Sequence, residues 1–192
     1  MSFPNSSCKI ILASKSPRRQ ELLKGLGVDF EVRTKEVEEV YPNHLKNEEV
    51  ALFLSELKSA AFENEIKANE LLITSDTIVC IDDQILGKPK NATDAEKMLG
   101  VLSGRKHEVI TAVTLSTLEK KHSFAVSTAV YFKELSTEEI DYYITNYQPF
   151  DKAGSYGIQE WIGYVGIEKI EGSYFNVVGL PVHQLYEELL KF

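Results

Sequence analysis

Apolar positions along this chain recur with two periods, and the switches between them lay out the elements. Cys8–Ala13 is a short apolar run broken only by Lys9, the pattern of a buried strand, and Gln20–Lys24 is a strong helix former. Between them Ser16 suits an N-cap and Pro17 a first helical residue, because proline has no N–H to leave unsatisfied there. Gly25 and Gly27 mark the helix stop, and Val28–Arg33 reads as a second strand. Thr34–Asn47 is acidic, contains Pro42 and reads as a loop. From Glu48 to Ile66, Val50, Leu54, Leu57 and Ala61 fall at helical spacing and predict a long amphipathic helix.

Leu71–Ile81 is strand chemistry interrupted by Thr74, Ser75, Asp76 and Thr77, and Asp82–Gln84 reads as a turn. Thr93–Leu102 predicts a helix, with Thr93 as N-cap, Glu96 completing a capping box, and Ala95, Met98, Leu99 and Leu102 facing inward. His107–Phe132 alternates as a hairpin or meander around Glu119–Lys121, and Ser136 or Thr137 caps a short helix running to Ile144. Asp151–Gln159 is punctuated by glycine and too irregular for a core element. Val165–Ile170 reads as the last strand, Glu171–Tyr174 as a turn, and Pro181 as the start of a terminal helix to Leu190. Early alternation of strand and helix with a central hairpin predicts an α/β fold with a mixed sheet, and no linker-like shift divides residues 1–192, so one domain is expected.

Charge narrows the partners. Twenty-nine carboxylates against twenty-one Lys and Arg repel a nucleic-acid backbone, so a small anionic ligand fits better than a polymer. Cys8 and Cys80 sit in apolar runs without Cys-x-x-Cys spacing and read as buried thiols in a reducing compartment. His44, His107, His122 and His183 have no paired ligand spacing, which speaks against a tight zinc site. No signal-peptide pattern and no run near the ~20 apolar residues of a membrane span is present, so no membrane partner is expected and cytoplasm is the expected location.

The stretch Leu12–Arg19 gathers the clearest chemistry. A helix start offers free N–H groups and a partial positive charge to phosphate, and two of the four arginines, Arg18 and Arg19, stand there side by side. The dipole alone contributes only about 0.3–1 kcal/mol, so the guanidinium forks matter more. An aspartate among β-formers, Asp76, must face water, cap something or be held for function. Glu36, Glu38 and Glu39 read most simply as a solvated acidic face, and Lys58 as a surface lysine. Gly87–Lys90 is a basic loop. Neither Gly-x-x-x-x-Gly-Lys-Ser nor Gly-x-Gly-x-x-Gly occurs, so the two common nucleotide motifs do not apply.

These pieces also occur together elsewhere. Ser14-x-Ser16-Pro17-Arg18-Arg19, Glu38–Glu39, Leu57–Ala60, Ser75–Val79, Gly87–Pro89, Leu102–Gly104 with Val109–Val113, Lys152–Gly154 with Tyr156–Gln159, and Gly172–Tyr174 through Gly179–Pro181 resemble, in order, the Maf family of nucleoside triphosphate pyrophosphatases. The resemblance runs from Ile10 to about Leu190. It implies a twisted mixed sheet with flanking helices in a single two-lobed domain with a central cleft, similar to inosine triphosphate pyrophosphatase. It also implies hydrolysis of a nucleoside triphosphate between the α and β phosphates with a divalent cation, Mg²⁺ or Mn²⁺. By the same resemblance Asp76 is the proton acceptor, with Lys58, Lys88 and Glu39 as its catalytic companions. Arg19, Lys58 and Lys88 hold phosphates, Ser14 and Ser16 assist, and Asp76 with Glu39 are the metal candidates.

Arg18, Thr77 and Gln159 match the family branch acting on dTTP and UTP, and a glutamine amide suits the O4 and N3–H edge of such a pyrimidine. Lys15 departs from the glycine common in the family and would crowd the phosphate loop or add charge to it. Modified pyrimidine nucleotides, another base such as 7-methyl-GTP, and a non-catalytic nucleotide-binding regulator of septum formation remain alternatives. The resemblance leaves room for a homodimer.

Overall fold

The computed structural model describes residues 8–82 and 84–192. Its elements in chain order are β1 (Lys9–Leu12), α1 (Pro17–Gly25), β2 (Phe30–Val32), α2 (Glu48–Ala60), β3 (Glu70–Ile81), β4 (Gln84–Leu86), α3 (Ala92–Leu102), β5 (Lys106–Ser116), β6 (Lys121–Phe132), α4 (Thr137–Tyr147), α5 (Trp161–Gly166), β7 (Ile167–Glu171), α6 (Tyr174–Val178) and α7 (Val182–Leu189), with a 3₁₀ turn at Ala153–Ser155. This is an α/β chain with a mixed sheet and flanking helices. By its contacts it forms two compact units, and β3, β5 and β6 each contribute residues to both.

The first unit comprises residues 8–76, 111–126 and 179–192. Here β1 lies between two parallel neighbours, with Ile10 opposite Phe30 of β2 and Leu71 of β3. Ile11 and Leu12 of β1 and Leu71–Ile73 of β3 are buried in succession, on both faces of the sheet, which is why these stretches do not alternate apolar with polar. Leu12, Leu71 and Ile73 pack with Leu23 of α1 and Leu185 of α7, while Ile11 and Leu72 pack on Phe62. Each such side chain contributes about 1.5–3 kcal/mol of burial.

The helix predicted to reach Ile66 ends at Ala60 instead. Phe62 N–H donates to Ser59 O (3.0 Å) and Glu63 N–H to Ala60 O (3.1 Å), three-residue steps that tighten the chain and set Phe62 onto Ile11 and Leu72.

The second unit comprises residues 77–110 and 127–178. Its part of β3 carries β4 antiparallel, Val79 opposite Leu86, and β7 runs antiparallel to β6. The predicted turn before β4 includes Asp83, which lies outside the described residues; Asp82 takes a left-handed φ of +51°. The core gathers Leu99 and Leu102 of α3, Val130 and Phe132 of β6, Tyr143 of α4 and Ile162 of α5.

Asn91, and not Thr93, caps α3, accepting from Asp94 N–H at 2.9 Å. Glu96 therefore completes no capping box there, while the inward set of Ala95, Leu99 and Leu102 holds with Met98 half-buried. Ser136 caps α4 in a full capping box with Glu139, and that helix runs one turn beyond Ile144. α5 and α6, at six and five residues, are too short to show a helical period in sequence. Among the described residues no helix is long and apolar enough to cross a membrane.

Candidate active site

In the first unit, β1 ends at Leu12 and α1 opens at Pro17, so Ser14 and Ser16 fall in the connection. Both hydroxyls are turned to local work: Ser16 Oγ accepts Arg19 N–H (3.4 Å) and Ser14 Oγ accepts Ser16 N–H (3.2 Å). Arg18 is half-buried on the first turn of α1. Arg19 donates from Nε to Gly179 O (2.8 Å) and from Nη1 to Ser75 O (2.9 Å), so one guanidinium clamps the approach to α7 and the middle of β3. Burial pulls its pKa down, while the Asp76 carboxylate, and more weakly Glu39, pull it back. Lys15, the departure from the family pattern, is exposed and reaches Glu36 at 3.3 Å.

Three polar residues in a row are buried on β3, and the pleat sends them to opposite sides. Thr74 Oγ1 donates to Ser55 O of α2 (2.7 Å), and Asp76, two residues on, meets Lys58 Nζ of the same helix. Ser75 points the other way; its Oγ has no hydrogen-bond partner among the described residues. Lys58 also holds Glu39 Oε1 at 2.8 Å, so one ammonium bridges two carboxylates. The Asp76 side chain is 9% exposed and Lys58 17%, against 42% for Glu39, which places the bridge at the rim of the buried region. Lys58 is thus not a free surface lysine.

The helix can aim Lys58 this way because Ser55, Lys58 and Ser59, at i, i+3 and i+4, share one face. Ser55 Oγ meets Thr114 Oγ1 (2.8 Å) and Ser59 Oγ meets Ser116 Oγ (2.7 Å), which anchors that polar face on β5.

In the second unit, Thr77 follows Asp76 and is half-buried, and Lys88 is exposed on the loop after β4. That loop is tied down by Gly154 N–H donating to Gly87 O (3.0 Å). Gly154 has φ +68°, and a Cβ there would stand 2.9 Å from Val79 Cγ2. Gln159 sits just ahead of α5, with its Oε1 buried and without a partner among the described residues. Next to it, Glu160 is gripped twice, by the Tyr143 hydroxyl and by Lys152 Nζ at 3.1 Å. The Tyr143 oxygen in turn accepts Gly157 N–H (3.0 Å), and burial together with the Glu160 carboxylate pushes its pKa up, so it stays protonated and donates.

The sequence model of the Maf-like protein family matches residues 9–192. The chain belongs to the Maf family. Among curated relatives, a dTTP/UTP pyrophosphatase of Phocaeicola vulgatus is 58% identical over 184 residues, covering 95% of each chain. A dTTP/UTP pyrophosphatase of Bacteroides fragilis is 56% identical over 182 residues, 94% of each chain. One of Christiangramia forsetii is 54% identical over 181 residues, covering 94% of this chain and 92% of its own.

In this Maf protein the structure brings Glu39, Lys58 and Asp76 into direct contact and sets Arg19 on the carbonyl before Asp76. Reading the sequence for site residues assigned no place to Tyr143 and Glu160, which the structure joins beside Gln159. Tyr143 looks like any apolar position of an amphipathic helix, and Glu160 like a surface acid, so only Lys152, inside a family motif, carried a signal.

Proposed function

We propose that this protein hydrolyses dTTP and UTP between the α and β phosphates, giving the nucleoside monophosphate and pyrophosphate. The observation that carries this reading is the Asp76 carboxylate, buried at its place on β3 and held with Glu39 on one lysine. The names of relatives 58% and 54% identical over nearly the whole chain support the substrate, as do Arg18, Thr77 and Gln159. Asp76 accepts a proton from water as its oxygen bonds to the α phosphorus; the α–β bridging bond breaks and its electrons leave on pyrophosphate. Lys58 holds the carboxylate oriented, and Lys88 and Arg18 supply positive charge for the phosphates.

Among the described residues no group of three or more His, Cys, Asp or Glu is arranged to hold a metal alone. Two carboxylates are nevertheless the donor set that suits Mg²⁺ or Mn²⁺, which bind through one or two carboxylates together with substrate phosphates. Asp76 and Glu39 would hold such a cation, and it would offset phosphate charge and acidify water. The reading places the protein in the cytoplasm as an enzyme of free nucleotides.

The test is pyrophosphate release with Mg²⁺ or Mn²⁺ from dTTP, UTP, CTP, dATP, GTP and 7-methyl-GTP, with the monophosphate identified. Release from dTTP and UTP above the rest is expected. Release from another base keeps the chemistry and discards the specificity trio, and nucleotide binding without release rejects the enzyme.

A further inference from the structure

A glutamine amide can face a base in two orientations, and they read different pyrimidines. With its nitrogen toward the 4-position and its oxygen toward ring N3, it donates to O4 and accepts N3–H, the pattern of uracil and thymine. Turned over, it accepts from the 4-amino group and donates to bare N3, the pattern of cytosine. Selectivity between them therefore depends on what stops the amide turning.

Gly157, Gln159 and Glu160 are arranged to stop it. A Cβ on Gly157 would stand tightly against two groups, Gln159 Nε2 at 3.0 Å and the Glu160 carboxyl, with Cδ at 3.0 Å and Oε2 at 3.1 Å, so the missing side chain leaves both a shared gap. The amide nitrogen is the positive end of its dipole, so a fixed carboxylate at the shared gap draws it in and turns Oε1 away. Oε1 is indeed the end that is buried with no partner among the described residues, an acceptor left for a donor to fill. The carboxylate cannot swing off, because Tyr143 and Lys152 hold it from a buried position.

We propose that Glu160, held by Tyr143 and Lys152, is a positioning residue that fixes the orientation of the Gln159 amide and thereby excludes cytosine nucleotides. This rests on the reading of Gln159 as the group that meets the base. Glu160 itself touches no substrate; it acts through the amide. Gly157 belongs to the same device, since a side chain there would make both groups give way by a few tenths of an ångström.

The experiment measures kcat/KM for UTP and CTP with the full chain and Mg²⁺, for the wild type, Glu160→Gln, Tyr143→Phe and Gln159→Ala, with melting temperatures alongside. Glu160→Gln keeps the shape and removes the charge, and it should lower the UTP:CTP ratio about tenfold through a rise on CTP as well as a fall on UTP. Tyr143→Phe keeps the carboxylate and loosens it, so the ratio should shift the same way by less; it serves as the test should Glu160→Gln not fold. Gln159→Ala should bring the ratio toward one with no gain on CTP. Equal losses on both nucleotides in Glu160→Gln and Tyr143→Phe, beside a changed ratio in Gln159→Ala, would overturn the lock and leave the role of Gln159 standing. An unchanged ratio in Gln159→Ala, or a wild type indifferent to UTP and CTP, removes that role and the lock with it.

Discussion

Replacing Asp76 by Asn separates the proposed chemistry from the architecture. The amide keeps the size of the carboxyl and offers Lys58 a carbonyl oxygen, and Lys58 retains Glu39 at 2.8 Å, so no cation is left stranded. The stability cost should therefore stay near about 1 kcal/mol, which for a chain of this length is a melting shift of about 2–4 °C. The loss of a general base is worth about 10²–10⁴ in rate, or roughly 2.7–5.5 kcal/mol of barrier. Pyrophosphate release from UTP should thus fall at least a hundredfold while calorimetry still detects nucleotide binding. Turnover within fivefold of wild type would refute the assignment of Asp76 as proton acceptor.

Three further outcomes follow from the geometry. Arg33 grips Glu70 with two hydrogen bonds (2.8 and 3.0 Å) and holds its carboxyl down at about 2; because that lies below the ordinary 4.5, the stabilisation is full above pH 4.5 and lost as pH falls through 2. Unfolding by urea from pH 6 to 2 should show about 1–3 kcal/mol of this, and Glu70→Gln should lack it; parallel pH curves for the two proteins would reject the linkage. A Cβ at Gly163 would lie 1.8 Å from Ile158 O, a backbone atom, so Gly163→Ala should cost about 3 kcal/mol or more, and an unchanged melting temperature would show that α5 can shift at no cost. Arg19 reaches its two carbonyls from separate nitrogens of a planar fork, where lysine has a single nitrogen, so Arg19→Lys should lose about 1.5–3 kcal/mol in thermal unfolding, and a wild-type melting temperature would deny the clamp.

Periodicity located the long elements and failed on the short ones, for reasons that particular residues make plain. β5, β6 and α3 declare themselves because each repeats an apolar pattern over a full run, whereas β4, α5 and α6 are three, six and five residues long and never complete one. The end of α2 was set by a tertiary contact, Phe62 on Ile11 and Leu72, which no local pattern encodes. Thr93 and Asn91 are both good caps, and the two-residue slip between them is finer than propensity can resolve.

At the site, the flanking apolar residues left Asp76 to face water, cap something or be held for function, and Lys58, which meets it, lies eighteen positions away on α2. The usable signal was Ser55 and Ser59, small polar residues spaced with Lys58 on one helix face and matched by Thr114 and Ser116 on β5.

The charges of the first unit argue for one more requirement. Lys58 bridges Asp76 and Glu39, and Arg19 feels both carboxylates, so these two cations balance those two anions. Arg19 has also committed Nε and Nη1 to backbone carbonyls. A polyanionic triphosphate approaching Asp76 and Glu39 therefore meets two carboxylates whose charge Lys58 and Arg19 already balance, and its own negative charge remains to be offset. A divalent cation bound with the substrate would offset that charge, and the two carboxylates would be the hard oxygen donors it takes. Stripping divalent ions with EDTA should therefore stop pyrophosphate release, and Mg²⁺ or Mn²⁺ should restore it. The fold should not notice, since among the described residues no cluster of three or more ligating side chains depends on a metal, and the melting temperature without nucleotide should stay the same in EDTA. Full turnover by the chelated enzyme would mean that the chain's own cations suffice, and the charge argument would fail.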